Sequence, residues 1–534
     1  MPRVLRPLTL ARVRAAWFPA ALTLAFALAL GLRLVDLDAR PMHHDEANQA
    51  VKFGALLERG EYRFDPADHH GPTLYYLTLP AARAAGATTL AGLDVAALRA
   101  VPALAGAGLV ALFLLFAGGI SREARLAAAL LAAVSPALTY YSRFYIQETL
   151  LVLFLAGLLT AGWRYARSRS GWWAAAAGFS AGLMFATKET SVVLFGGLAA
   201  ALGLVFLTDR LGAQRKGVVT PRGGWSWRAA ATRFWTVPHV ALFLAFAAAA
   251  AALFFTSFFQ NPRGLVDAFR AVGASFERAA HPGVHAQPWY YYFQTLAYSK
   301  AAAGPVWSEA FLLFLAVAGG IAAWGPDGSA GESPRFLRFV LFFTVVTAAA
   351  YSLIPYKTPW NLLPFYLGLV LLAGNGVALL LRISRRRLVQ ALILAALAPG
   401  FAGLAAQSYR ASYTAPSDPA NPYAYAPTSP DLLRLVQAVE RVAAASPDGR
   451  NILVKVVAPP DETWPLPWYF RAYGRVGYWT EPGPALDAAA TGEAAAVIAA
   501  AAFADEVGAA LGEDYRQSFF GLRPEVVLAL FVRR

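Results

Sequence analysis

The sequence predicts an all-α polytopic membrane protein of about eleven transmembrane helices, followed by a small α/β domain. Three observations predict it. Hydrophobic residues make up 58% of the 534-residue chain and the mean hydropathy is +0.46, above the roughly 45–50% apolar content of soluble domains. The excess is gathered in blocks of roughly 18–22 residues, each long enough to cross a hydrocarbon core about 30 Å thick. Charged residues are nearly absent inside the blocks, which argues against an Ala-rich soluble helical protein.

The blocks place helices at about 17–35, 97–118, 126–142, 148–165, 172–187, 190–208, 238–258, 305–324, 337–354, 361–381 and 388–406. Residues 73–90 are only moderately apolar. Pro72, Pro80 and Arg83 suit a helix lying along the interface rather than a span. At the N-terminus, Arg3, Arg6, Arg12 and Arg14 precede the first apolar run, and no small-residue cleavage site follows. That pattern reads as a retained first helix rather than a removed signal.

Net charge is +14, but its distribution is that of a membrane protein and not of a nucleic-acid binder. The basic residues sit in short loops: Arg122 and Arg125; Arg164, Arg167 and Arg169; Arg210, Arg215, Lys216, Arg222, Arg228 and Arg233; Arg335 and Arg338; Arg382, Arg385, Arg386 and Arg387. Those loops hold few acids: Glu123, Asp209, Asp327 and Glu332. The intervening loops are mixed or acidic, as in Asp36, Asp38, Glu58, Glu61, Asp65 and Asp68. The positive-inside rule then sets the N-terminus inside and the C-terminus outside. A span at 73–90 would invert every later loop. The absence of Cys excludes disulfides and thiolate chemistry.

The character changes after residue 406. Residues 411–430 are rich in Pro, Ser, Ala and Tyr and read as a linker. Ser429-Pro430-Asp431 reads as a helix start, with the helix running to about 445. Ile452–Val457 reads as a strand and Val497–Phe503 as a weaker one. The expected organisation is a membrane domain over 1–406, with a first outer loop at 36–96, and an extracytoplasmic α/β domain over 407–534.

On this topology the outer face gathers His43-His44-Asp45-Glu46, His69-His70-Gly71-Pro72, Arg143, Glu148, Lys188-Glu189, His281, His285 and Tyr356-Lys357-Thr358-Pro359-Trp360. Each has an ordinary reading taken alone. Arg143 could snorkel to headgroups, Glu148 could answer a helix dipole, and Lys357 or Trp360 could anchor a helix at the interface. Their coincidence on one face points instead to a site. Arg143, Lys188 and Lys357 could clamp a phosphate, and a carboxylate in the first loop could take a proton from an attacking hydroxyl. His43, His44, His69, His281 and His285 also leave a divalent metal open, although their spacing fits no zinc motif.

The stretch Pro41-Met42-His43-His44-Asp45-Glu46-Ala47 through His70-Gly71-Pro72-Thr73-Leu74-Tyr75-Tyr76 resembles the GT-C glycosyltransferases. The similarity is to the branch of protein O-mannosyltransferases (glycosyltransferase family 39) and aminoarabinose transferases. Within it, the chain is most similar to a prokaryotic family termed "flippase activity-associated protein". Ser142-Arg143-Phe144 with Glu148, Thr187-Lys188, and Lys357-Thr358-Pro359-Trp360 resemble further family motifs. The resemblance covers about 36–375, and weakly Asn421-Pro422-Tyr423 and Pro465-Leu466-Pro467-Trp468-Tyr469.

It implies an inverting transferase in the cell membrane. The donor would be a polyprenyl-phosphate sugar and the acceptor a protein or a lipid-borne glycan, with no obligatory cofactor and no nucleic acid. Asp45 would activate the acceptor with Glu46 in support. His70, Arg143, Glu148, Lys188, Glu189 and Lys357 would shape the donor-phosphate pocket. His44, His69, Tyr145, Tyr356 and Trp360 would line the substrate. Two departures stand out: relatives often carry Lys where this chain has His70-Gly71, and Asp where it has Glu148. The alternative is a non-enzymatic flippase-associated component that handles lipid-linked glycans.

Overall fold

The computed structural model describes residues 6–68, 70–215, 235–301, 304–325, 332–486 and 494–534. Within them the chain divides into two compact units. The first lies in Met1–Val35, Arg63–Tyr76 and Pro102–Ser412, and the second in Asp36–Tyr62, Leu77–Val101 and Tyr413–Arg534.

Helices form at all eleven expected positions. Eight are long and apolar enough to cross a membrane: Trp17–Leu34, Val95–Phe116, Glu148–Ser168, Ser191–Gly212, Val237–Phe255, Pro334–Leu353, Pro359–Leu381 and Arg387–Thr414. The other three depart from simple spans. The block at 126–142 is broken into Arg122–Val134 and Pro136–Ser142, bent by 57°. Ser135 causes the break. Its backbone is extended, its hydroxyl accepts the Leu138 N–H, and Pro136 starts the next helix. Gly171–Thr187 has 17 residues, and Ala310–Ala322, at 13 residues, is too short to cross a bilayer alone. The segment at 73–90 is a helix only over Thr73–Ala84, 12 residues. At that length it is too short to span a bilayer by itself.

Small residues let the helices of the first unit approach closely. Gly178 and Gly182 form a Gly-x-x-x-Gly stripe, and a Cβ on either would strike a backbone carbonyl of the Val237–Phe255 helix. Gly319 and Gly376 do the same between Ala310–Ala322 and Leu363–Leu381.

In the second unit, the tail folds as a five-stranded mixed sheet: β1 (Leu453–Val457), β2 (Arg475–Trp479), β3 (Ala494–Ala500), β4 (Tyr515–Arg523) and β5 (Val526–Arg533), in the order β2-β1-β3-β5-β4. β1 pairs with β2 and β3 in parallel, while β5 pairs antiparallel with β3 and β4. The expected helix runs Asp431–Ala445. At its start the Ser429 hydroxyl accepts the Asp431 N–H (3.2 Å), and the Asp431 carboxylate accepts the Gly521 N–H (2.8 Å). Leu432, Leu435 and Val439 of this helix bury against Val454, Val456, Ile498 and Leu530 on one face of the sheet. Val457, Val497, Ala499 and Phe531 pack with Val507 and Leu511 on the other. The weaker expected strand lies a few residues earlier than anticipated. β2, β4 and β5 were not anticipated.

Candidate active site

Asp45 and Glu46 open the helix His44–Arg59, and the fold treats the two acids oppositely. Glu46 is fully buried. Arg40 reaches it with two bonds (2.8 and 3.0 Å) and Arg99 with two more (both 2.8 Å). It also accepts the His43 N–H at 3.0 Å, closing a capping box. The two guanidinium groups outweigh the burial penalty and hold the carboxyl well below the usual range. Asp45 instead leaves 41% of its side chain accessible. His43 steadies the turn. Its Nε2–H donates to the Tyr425 carbonyl (3.0 Å) and its Nδ1 accepts the Asp45 N–H (3.1 Å), so both ring nitrogens are spoken for. The chain leading into the turn is tied to the tail within the same unit. Met42 N–H donates to the Tyr469 hydroxyl (2.9 Å), and the Thr428 hydroxyl donates to the Met42 carbonyl (2.8 Å). The His44 ring lies 6.1 Å from Trp464, and burial lowers the His44 pKa.

In the first unit, Glu148 begins one helix and Lys188 follows the next. Antiparallel packing brings them into a buried ion pair. Gly71 lies so close to the Ala186–Thr187 backbone that a Cβ would land on it. The approach also lets Thr73 and Thr187 share a hydroxyl bond of 2.8 Å. It sets His70 Nδ1 against Glu189, at 3.0 and 3.1 Å. Arg278 reaches the same carboxylate at 3.3 Å. His70, followed by Lys188, depresses the Glu189 pKa despite burial. Arg143 is buried and donates to the Arg33 (3.2 Å) and Val35 (2.5 Å) carbonyls, so it caps the end of the first helix.

Lys357 is different. It is 1% exposed, and its ammonium donates to two carbonyls, Gln287 (3.0 Å) and Ile354 (2.5 Å). Among the described residues no carboxylate pairs with it, and burial lowers its pKa. Its loop is fixed by a backbone bond to His285 (3.0 Å) and by the Tyr356 ring 4.6 Å from that of His285. Trp360 and Tyr145 are buried, with Trp360 packed edge-on against Tyr141.

His69 lies outside the described residues. His281 is exposed, its Nδ1 3.2 Å from the Glu277 carbonyl. Among the described residues, no group of three or more His, Asp or Glu side chains is placed to hold a metal ion. Four participants were absent from the sequence reading. Arg40 and Arg99 clamp Glu46, and Arg278 joins Glu189. Glu309 is a fully buried acid that accepts from Ser135, Tyr366 and the Ala137 N–H at the broken helix. Their only sequence signal was a charge beside or within an apolar block.

Residues 78–218 match the protein family described as dolichyl-phosphate-mannose-protein mannosyltransferase. No curated protein sequence matches the chain. Among solved structures, ArnT of Cupriavidus metallidurans bound to undecaprenyl phosphate is similar over 95% of this chain and 97% of that one, at 14% identity and TM-score 0.63. The Archaeoglobus fulgidus oligosaccharyltransferase AglB, in complex with an inhibitory peptide and a dolichol-phosphate, is similar over 95% and 74% at 14% identity and TM-score 0.52. The chain thus shares its fold with these two structures, and eight of its helices among the described residues are long and apolar enough to cross a membrane.

Proposed function

We propose that the protein is a membrane glycosyltransferase that moves a sugar from a polyprenyl-phosphate donor to a protein or glycan acceptor on the outer face of the cell membrane. The observation that carries the reading is the division of labour at Asp45-Glu46. One acid is locked into the scaffold by two arginines, and its neighbour is left accessible. A carboxylate so presented suits a general base. The likeness to a structure holding undecaprenyl phosphate supports the donor class.

The transfer is a single displacement with inversion. The acceptor hydroxyl oxygen attacks the anomeric carbon and its proton passes to Asp45. The carbon–oxygen bond to phosphate breaks, and its electron pair leaves on the polyprenyl phosphate. A cation beside that phosphate stabilises the developing charge. Lys357, buried without an acid, is the residue we assign to it. His70 and Arg143 are the further candidates for phosphate contact. Lys188 is already neutralised by Glu148 and is assigned to shaping the pocket.

Asp45→Asn preserves shape and removes the base. It should lower sugar transfer roughly 100-fold or more while donor binding persists, in membranes supplied with polyprenyl-phosphate sugar. Undiminished transfer would remove the enzyme reading in favour of a flippase-associated carrier of lipid-linked glycans. The orientation is tested separately, by a reporter fused after Arg534. It should report an extracytoplasmic location, because the Arg-rich loops favour the opposite side.

A further inference from the structure

The tail domain carries a pocket lined by neither Asp45 nor Lys357. It is a cavity of about 680 Å³ between the last two turns of the Asp431–Ala445 helix and the adjoining ends of β4 and β5. Its volume is in the range of small-molecule sites, about 300–1,000 Å³.

The charge of its wall is one-sided. Arg441, Arg516, Arg533 and Arg534 line it, and no acid does. Among the described residues, no carboxylate is bonded to Arg441, Arg516 or Arg534. Strand pairing explains the crowding. Arg516 lies opposite Val532, and side chains alternate along a strand. Arg516 and Phe520 of β4 therefore share a face with Val532 of β5, the face that the helix covers and from which Arg441 approaches, while Arg534 follows β5 with its N–H bonded to the Asp514 carbonyl (2.9 Å). The floor is apolar, formed by Phe520 and Val532.

We infer that this pocket binds an anionic saccharide. Phe520 would meet the apolar face of a sugar ring. Arg441 and Arg516 would take its carboxylate, phosphate or sulfate, since a guanidinium pairs such groups through two parallel bonds. In the setting of the proposed transferase the ligand would be a segment of the acceptor glycan. The pocket's own chemistry does not depend on that reading.

The test uses the full chain in nanodiscs of zwitterionic lipid, without donor, so that binding is read independently of turnover. The probes are a glucuronate-containing tetrasaccharide, its carboxyl-reduced neutral form, and inorganic phosphate. The charged tetrasaccharide should bind at least 10-fold tighter than the neutral one. Arg441→Ala with Arg516→Ala should weaken it at least 10-fold with the thermal unfolding profile unchanged. Phe520→Ala should weaken the tetrasaccharide several-fold and leave phosphate unaffected. Equal binding by wild type and the double variant would overturn the proposal. So would phosphate binding as tightly as the tetrasaccharide, or an effect confined to nanodiscs containing phosphatidylglycerol, which would make the surface a lipid-headgroup contact.

Discussion

Glu46, in the first turn of a helix, and Lys357, in a loop, are both buried ionisable groups, and the chain handles them in opposite ways. Glu46, in the second unit, receives four bonds from two arginines and a fifth from the backbone. Lys357, in the first, meets only carbonyl dipoles among the described residues. Ionised groups lose several kcal/mol of hydration on burial, so a charge without a counter-charge survives only where something else compensates it. A buried acid with two counter-ions has its compensation built in and serves the scaffold. A buried cation with none is suited to an anion that comes and goes. Burial and charge alone therefore do not single out the working residue; the partner set does.

The largest expected effect breaks the scaffold side. Arg99→Met leaves Glu46 buried with half its compensation and should cost about 3–5 kcal/mol of stability, read as a large fall in the thermal midpoint of the full chain. Glu46→Gln should cost nearly as much, because it strands both arginines. A variant stable to within about 1 kcal/mol would show that the clamp is dispensable, and the contrast with Lys357 would dissolve.

The next effect tests the other side. Lys357→Met keeps the length of the side chain and removes the charge. No carboxylate is stranded, so stability should change by about 1 kcal/mol or less. Binding of a polyprenyl-phosphate sugar should weaken at least 10-fold. Large destabilisation without loss of donor binding would mean that Lys357 is scaffold too.

Much of this contrast was legible in the sequence on one side only. Asp45-Glu46 and Lys357 stand out as charges beside apolar blocks, and those blocks located the eight helices long and apolar enough to span, though not the amphipathic helices His44–Arg59 and Gly264–Ala280. The division of roles within Asp45-Glu46 was not legible, because it depends on Arg40 and Arg99. Arg40 looks like one more loop cation, and Arg99 sits two residues inside the start of an apolar block, 53 positions from its partner. Lys188 shows the converse limit. It reads as a free cation in sequence and is paired with Glu148 in the fold. In the tail, β5 (Val526–Arg533) is a continuous apolar run because both of its faces are covered. It therefore lacks the alternation that marks a half-buried strand. The break at Ser135 lies inside an otherwise apolar block, marked in the sequence only by the Ser135-Pro136 pair.

A finer test lies between the two extremes, at Glu189. Its carboxylate is buried like that of Glu46, but its partners are half solvated. His70 leaves 34% of its side chain exposed and Arg278 leaves 44%. The pair strength is correspondingly reduced by screening, to about 1 kcal/mol. The sign of the pH effect follows from the depressed pKa. The stabilisation is complete above the unfolded carboxyl value of about 4.3 and is lost as pH falls through the lower folded value. Glu189→Gln removes this contribution and leaves that of Glu46 in place. The variant should melt slightly below wild type at neutral pH, and the gap should close as both are acidified below about pH 4. Both proteins should still lose stability at low pH, since Glu46 must also be protonated there. A gap that persists unchanged at pH 3 would show that Glu189 acts by shape rather than charge, leaving Glu46 as the acid whose ionisation holds the fold.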